Sequence, residues 1–326
     1  LTVPRRRLGR SGLSLPVIGF GCGPTAALIA SGVGDSQYEA VARALELGID
    51  FFDTAPLYGN GRSEQALGQI LRELGATPDI ATKVLLSHDD LSNIDDAITR
   101  SVETSCERLG RSQLTLLFLH NRIAAKRVPQ TGNSVGPLLS LDDMLGPGGV
   151  AEVFGRLRDR GIVRHVGCSA YGGEMQAVAG VIDSGMFDCL SVHHSLLNPT
   201  AWTRSRFVAN EHDYARIAAR AAEAGMGVIA LRVFEAGVLV GGKPASETVE
   251  AQLKALSELL ANQRSVADAA LRFVLSEKAV TTALVGFSSP AHVEAAAKSA
   301  VEGALAEPLL TRIATWQSDP LRQILN

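Results

Sequence analysis

An eight-stranded parallel (β/α)₈ barrel with an N-terminal β-hairpin is the fold this sequence predicts. Three observations predict it. Short apolar runs alternate with helix-patterned segments along the whole chain. Eight such runs fit comfortably in a chain of 326 residues. The runs are mostly continuous rather than alternating in apolar character, as in strands buried on both faces of a parallel sheet. The whole chain, 1–326, is expected to form one domain.

The elements follow in order. Residues 3–15, with Gly9 and Gly12, read as a hairpin that plugs the barrel floor. The first barrel strand is expected at 16–22. A helix at 36–47 follows, capped by Asp35 or Ser36 and stopped by Gly48. Strand 49–55 leads to helix 63–74, and strand 79–84 to helix 92–109, which ends at Gly110. The apolar run 114–120 is the fourth strand. Its helix, 150–160, ends at Gly161. Strand 163–170 precedes helix 174–184 and Gly185, and strand 189–195 precedes helix 213–224 and Gly225. Strand 227–233, helix 266–275, strand 283–287 and helix 290–300 complete the set, the last started by Ser289 and Pro290. The segments 121–149 and 234–248 read as long loops. Both follow strands, so both belong to the catalytic rim. No element is assigned to 249–265 or beyond residue 300.

Composition narrows the function. The formal net charge is −3, without the basic surplus of a nucleic-acid binder. The cluster Arg5, Arg6, Arg7 and Arg10 reads as a solvated hairpin face. The uncharged stretch 11–34 contains six glycines, Pro16 and Pro24, which excludes a spanning helix. Cys22, Cys106, Cys168 and Cys189 form no CxxC pair and read as free thiols, with no metal site implied. A cytoplasmic location is the expectation.

Chemistry gathers where strands end. Asp53 closes the second strand, Lys83 the third and His120 the fourth, and Tyr58 follows Asp53 by five residues. Singly, each reads as a rim residue. Together, their strand ends bring them to one site. Hydride chemistry at a carbonyl needs a group that gives and takes a proton on oxygen. Tyr58 fits that role if Lys83 lowers its pKa, Asp53 anchors Lys83, and His120 donates to the substrate oxygen. A glycosidase would need two carboxylates at strand ends, and only Asp53 fits.

The run Gly48-Ile49-Asp50-Phe51-Phe52-Asp53-Thr54-Ala55-Pro56-Leu57-Tyr58-Gly59, then Ser63-Glu64 and Leu67-Gly68, resembles the signature of the aldo-keto reductases. Thr82-Lys83, Phe118-Leu119-His120 and Gly161 to Ser169 resemble later motifs of that family, and the likeness covers nearly the whole chain. It implies a barrel that binds an extended NAD(P)H without a Rossmann domain, consistent with the absence of a GxGxxG turn. It also implies cofactor contacts at Gly21, Cys22, Asp53, Ser169, Ser191, Phe234, Gly237, Leu239, Gly286, Ser288, Ser289, His292 and Glu294.

The chain departs from the family where nicotinamide is held. Ser169-Ala170 replaces Ser-Asn, Ser191 stands where the family has glutamine, and Leu231–Arg232 fall at the stacking aromatic, with Phe234 close by. NADP-preferring members place a basic residue near Ser288 and Ser289. Here none follows until Lys298, so NAD is expected over NADP. Segment 233–239 and the opening 7–13 resemble the NAD-linked aldose 1-dehydrogenase branch, which oxidises a cyclic hemiacetal to a lactone. A small carbonyl or lactol substrate is implied, from a sugar or a pyridoxal-like ring, with His194 and Trp202 as contacts. The alternatives are an NADPH-dependent aldehyde or ketone reductase and a non-catalytic cofactor-binding partner.

Overall fold

A computed structural model describes residues 1–25, 28–129, 136–204 and 212–318. Strands β1 (Arg5–Arg7) and β2 (Ser14–Pro16) pair antiparallel as the N-terminal hairpin. Eight parallel strands then close a barrel: β3 (Ile18–Gly21), β4 (Phe51–Asp53), β5 (Asp79–Val84), β6 (Leu114–Leu119), β7 (Val163–Ser169), β8 (Cys189–His193), β9 (Gly227–Leu231) and β10 (Val280–Gly286). β10 pairs with both β9 and β3, which removes every edge.

The helices that cover the barrel are α1 (Asp35–Glu46), α2 (Arg62–Glu73), α3 (Ile94–Leu109), α4 (Leu141–Leu145), α5 (Val150–Asp159), α6 (Met175–Asp183), α7 (Ile217–Glu223), α8 (Glu247–Leu259), α9 (Val266–Ser276), α10 (Pro290–Glu302) and α11 (Glu307–Ser318). Their local signals are visible in the contacts. Asn93 accepts from the Asp96 amide, Ser140 and Asp143 form a capping box, and Ser246, Ser265 and Ser289 each cap the helix that follows.

The hairpin seals the floor. Leu8, Leu13 and Leu15 pack inside the barrel with Phe51, Ala81, Leu116, Phe118, Cys189, Ile229 and Leu284. Gly9 makes this possible. Its φ is +50°, and a Cβ there would fall 2.4 Å from the Gly225 oxygen. The arginines of this hairpin are more than a solvated face. Arg6 donates to the carbonyls of Leu275, Glu277 and Val280, and Arg10 to those of Gly185 and Ala224. They clamp the hairpin to carbonyls at helix ends and strand starts around the floor. A groove of about 710 Å³ opens at this same end, beside Arg158 and His165, remote from the strand C-termini where barrel enzymes work.

Three helices lie outside the expected set. α4 interrupts the long loop after β6, α8 fills part of 249–265, and α11 follows α10. α8 and α11 pack through Val249, Leu256, Leu309, Ile313 and Trp316 into a second apolar cluster with Leu196, Leu197 and Leu239. The helix expected at 213–224 starts later, because Ala215 and Arg216 have φ of 47° and 61° and cannot belong to a right-handed helix. The four cysteines are free.

Candidate active site

Alternation along each strand sets the site. In β4, Phe51 faces the barrel interior, so Asp53, two residues on, faces inward one layer higher. In β5 the same step takes Ala81 to Lys83. Lys83 Nζ meets Asp53 Oδ1 at 2.6 Å and the Thr54 carbonyl at 2.8 Å. Both side chains are buried. Nζ also sits 4.9 Å from the centroid of the Tyr58 ring. His120 follows the end of β6 and meets Tyr58 edge-on, with centroids 5.9 Å apart and ring planes at 84°. The four residues brought together by sequence reasoning are neighbours in space.

The Tyr58 turn is built for this. The Tyr58 amide donates to Ala55 O, and its carbonyl accepts from Ser63 N. Gly59, Asn60 and Gly61 then take φ of 61°, 55° and 85°, a left-handed run that swings the chain into α2. Gly23 covers the ring from the other side. A Cβ there would lie 3.5 Å from it, in ordinary contact. Below, Glu64 is fully buried. It accepts from Thr82 Oγ1 at 2.7 Å and pairs with Arg108 at 3.2 Å. This contact fixes the residue before Lys83. Ser63-Glu64 belongs to the sequence signature, but nothing in the sequence reveals its partner on α3.

The electrostatics follow from burial. Removal from water works against the Lys83 ammonium, but Asp53 and Tyr58 outweigh it, and its pKa ends above the ordinary value. The same burial pushes the Asp53 carboxyl up, with Lys83 pulling it down. The two partners thus shift in ways that oppose each other. We take the ion-paired form, because the ammonium has two acceptors within 2.8 Å. Burial also raises the Tyr58 phenol, more than Lys83 lowers it. This differs from the sequence expectation. Lys83 spends most of its field on Asp53, leaving too little to offset the desolvation of a phenolate. Burial, then the Lys83 charge, brings His120 down to about 3, so its imidazole is neutral at working pH. Cys22 is held as a thiol by burial.

The other expected residues occupy two groups. Ser169 and Ser191 are partners in register on β7 and β8, and Gly21 pairs with Gly286 across β3 and β10. Ser169 Oγ accepts from Tyr171 N, and Ser191 is buried beside it. At the far side, Ser289 caps α10, Ser288 Oγ lies 2.9 Å from His292 Nδ1, and Glu294 pairs with Arg43 at 2.7 Å. Phe234 packs between the main core and the second cluster, Leu239 is buried in that cluster, and Gly237 takes φ of 99° in the turn between them. His194 is buried, with the Trp202 and Phe273 ring centroids 6.3 and 5.3 Å away, and among the described residues neither His194 Nδ1 nor Trp202 Nε1 has a hydrogen-bond partner. These two sit together, with Phe273 of α9 against the His194 ring.

A model of the aldo/keto reductase family matches residues 18–313. The chain belongs to the aldo/keto reductase family. It is 25% identical to a pyridoxal 4-dehydrogenase of Microbacterium luteolum, over 89% of this chain and 90% of that one. It is 24% identical to an L-galactose dehydrogenase of Arabidopsis thaliana, over 89% and 85%. A D-threo-aldose 1-dehydrogenase of a Pseudomonas species is also 24% identical, over 87% and 88%. Among solved structures, the holo form of an aldo-keto reductase from Bacillus halodurans superposes with a TM-score of 0.74 at 22% identity, over 97% of this chain and 96% of that one. The last comparison speaks for the fold alone. As an aldo/keto reductase the protein is an oxidoreductase of small carbonyl substrates that uses a nicotinamide cofactor. Among the described residues no helix is long and apolar enough to cross a membrane.

Proposed function

We propose that the protein oxidises a cyclic hemiacetal, an aldose or a pyridoxal-like lactol, to a lactone with NAD. The observation that carries the redox reading is the buried Lys83–Asp53 pair beneath Tyr58, with a neutral His120 at the edge of the same ring. Nicotinamide, when bound, supplies the hydride acceptor. Its amide would be held by Ser169 and Ser191, and its remaining length by Gly21, Cys22, Asp53, Phe234, Gly237, Leu239 and Gly286, ending at Ser288, Ser289, His292 and Glu294. Gly21 and Gly286 leave the backbone bare for close approach, and the positive end of the α10 dipole suits phosphate.

The preference for NAD rests on charge. The guanidinium nearest Glu294 is that of Arg43, and it is bound to both Glu294 and Glu46. An extra 2′-phosphate would meet a carboxylate there instead of a free cation. The relatives matched over most of their length are dehydrogenases of pyridoxal and of aldoses, compounds that close into hemiacetals.

Within this reaction Tyr58 Oη exchanges a proton with the substrate oxygen. His120, neutral, donates a hydrogen bond to that same oxygen and orients it. Lys83 stabilises the phenolate form of Tyr58, and Asp53 keeps Lys83 charged. His194 and Trp202 are proposed substrate contacts. The raised Tyr58 pKa favours a second reading, carbonyl reduction, because the protonated phenol is the form that gives a proton. A panel of aldoses and aromatic lactols with NAD or NADP, followed by absorbance of the reduced cofactor, separates these. Oxidation with a higher kcat/KM for NAD is expected. A clear NADP preference, or turnover only in the reducing direction, refutes the reading.

A further inference from the structure

A second buried pair of ionisable side chains stands on the same rim, outside the tetrad. His193 is the last residue of β8. Cys189 faces the barrel interior, so alternation turns Ser191 and then His193 inward, and His193 lies one layer above Ser191. Its Nε2 meets Glu235 Oε1 at 2.8 Å, and Ser195 Oγ donates to the same oxygen. Both His193 and Glu235 are buried. A carboxylate withdrawn from water in this way returns little net stability compared with an apolar side chain of similar size.

The backbone around the pair is strained. Six non-glycine residues among those described have positive φ, and five of them lie in the two segments that meet at His193. Arg232, Glu235 and Ala236 have φ of 58°, 49° and 54°, and Gly237 follows at 99°. Ala215 and Arg216 follow Tyr214, whose ring meets His193 edge-on at 5.7 Å. On the other side Tyr171 lies 6.3 Å from the same imidazole, and the Arg232 guanidinium sits 5.1 Å over the Tyr171 ring. His193 thus joins the segments after β7, β8 and β9. Left-handed conformations in residues with side chains persist only where the surroundings impose them, and such strain collects at functional sites.

We propose that the buried His193–Glu235 pair, with Ser195, is a positioning device that holds the strained turn after β9 in the shape that binds the nicotinamide cofactor. It rests on the nicotinamide reading above. That turn carries Phe234, Gly237 and Leu239, and its backbone bonds stay within it: the Glu235 amide donates to the Arg232 carbonyl, the Gly237 and Leu239 amides to the Phe234 carbonyl, and the Gly242 amide to the Gly237 carbonyl. The Glu235 side chain ties the turn to His193 of β8 and to Ser195 just after it. Without that tie, Glu235 and Ala236 relax toward ordinary φ, and the residues on either side of them move.

The test is Glu235→Ala, with Glu235→Gln as the conservative variant that keeps an oxygen for Ser195. NADH binding is measured by calorimetry, and steady-state rates are split into KM for NAD and kcat. Glu235→Ala raises both the NADH Kd and the KM for NAD at least tenfold, while kcat at saturating NAD falls less than threefold. Glu235→Gln recovers most of the affinity. A folded Glu235→Ala protein that binds NADH like the wild type overturns the inference while leaving the nicotinamide reading intact. If Glu235→Ala does not fold, Ser195→Ala and His193→Gln take its place, and unchanged NADH affinity in both overturns the inference. A wild-type protein that binds neither NAD nor NADH removes the nicotinamide reading, and the inference with it.

Discussion

Asp53→Asn isolates what the buried ion pair contributes. The substitution keeps shape and one acceptor oxygen but removes the charge that faces Lys83 at 2.6 Å. At an effective dielectric of ~20 that contact is worth about 6 kcal/mol of Coulomb energy. The asparagine oxygen still accepts from Lys83 and returns about 2 kcal/mol of it, while the Thr54 carbonyl, 2.8 Å from Nζ, is common to both proteins. The expected loss is about 4 kcal/mol, within the range for breaking a buried pair by removing one partner. With an unfolding entropy of ~2.1 cal/mol/K per residue, that is a fall of about 6 °C in Tm for a chain this long.

The sign with pH is fixed by Lys83. In the wild type its pKa is raised, so the pair's contribution is full below the unfolded lysine value of ~10.4 and is lost as pH rises through the higher folded value. In Asp53→Asn the Asp53 charge is gone, and burial, the largest influence, is opposed only by Tyr58, so Lys83 falls. The deficit is then largest at neutral pH and shrinks toward pH ~10.4. The assay is calorimetry or denaturant unfolding of both proteins from pH 7 to 10. A loss under 1 kcal/mol at pH 7, or a deficit that grows with pH, refutes the reasoning. Adding Lys83→Met to Asp53→Asn removes the stranded charge, so the double variant is more stable than Asp53→Asn alone.

Three further outcomes follow from the site. His120→Ala lowers kcat by about 10²–10³-fold through loss of one donor to the substrate oxygen, while His120→Gln keeps a donor and loses less; equal losses in both would contradict the donor role. The pKa of His120 is about 3, so a kcat/KM–pH profile shows no step near 6.5 from this residue; the oxidation rate instead climbs with pH, because burial raises the Tyr58 phenol above its ordinary ~10 in the free enzyme. A difference titration at the tyrosinate band, wild type against Tyr58→Phe, checks this directly, and a Tyr58 that ionises below pH 9 contradicts it. Glu294→Gln frees Arg43 from one carboxylate and raises kcat/KM for NADP relative to NAD several-fold, measured by initial rates; an unchanged ratio would show that Arg43 lies away from the 2′ position.

The barrel was legible because its strands are continuous apolar runs closed by glycine-stopped helices, and because strand ends expose their chemistry in sequence order. Asp53, Lys83 and His120 each close such a run, and barrel closure puts their ends side by side. What sequence spacing does not carry is pairing across the chain. The contact of Glu64 with Arg108 joins α2 to α3, and Arg43 reaches Glu294 from the first barrel helix to the last. His193 and Glu235 are 42 residues apart, and the left-handed backbone of Arg232, Glu235 and Ala236 has no glycine to announce it. α8 had a readable serine cap and apolar spacing, but its partners, α11 and the turn after β9, are contacts of tertiary structure. The direction of the Tyr58 shift is the same kind of case. A neighbouring lysine is readable in a sequence, whereas the burial that outweighs it is not.

Tyr58 is the proposed proton carrier in an NAD-linked oxidation of a lactol. Tyr58→Phe removes one oxygen and leaves the ring against His120 and Lys83. Turnover of the best lactol or aldose substrate with NAD and binding of NADH are measured on the same preparation. The expected result is NADH affinity within about threefold of the wild type and a kcat lower by about 10²–10⁴-fold, the usual worth of a positioned acid/base. Near-normal turnover in that variant would contradict it.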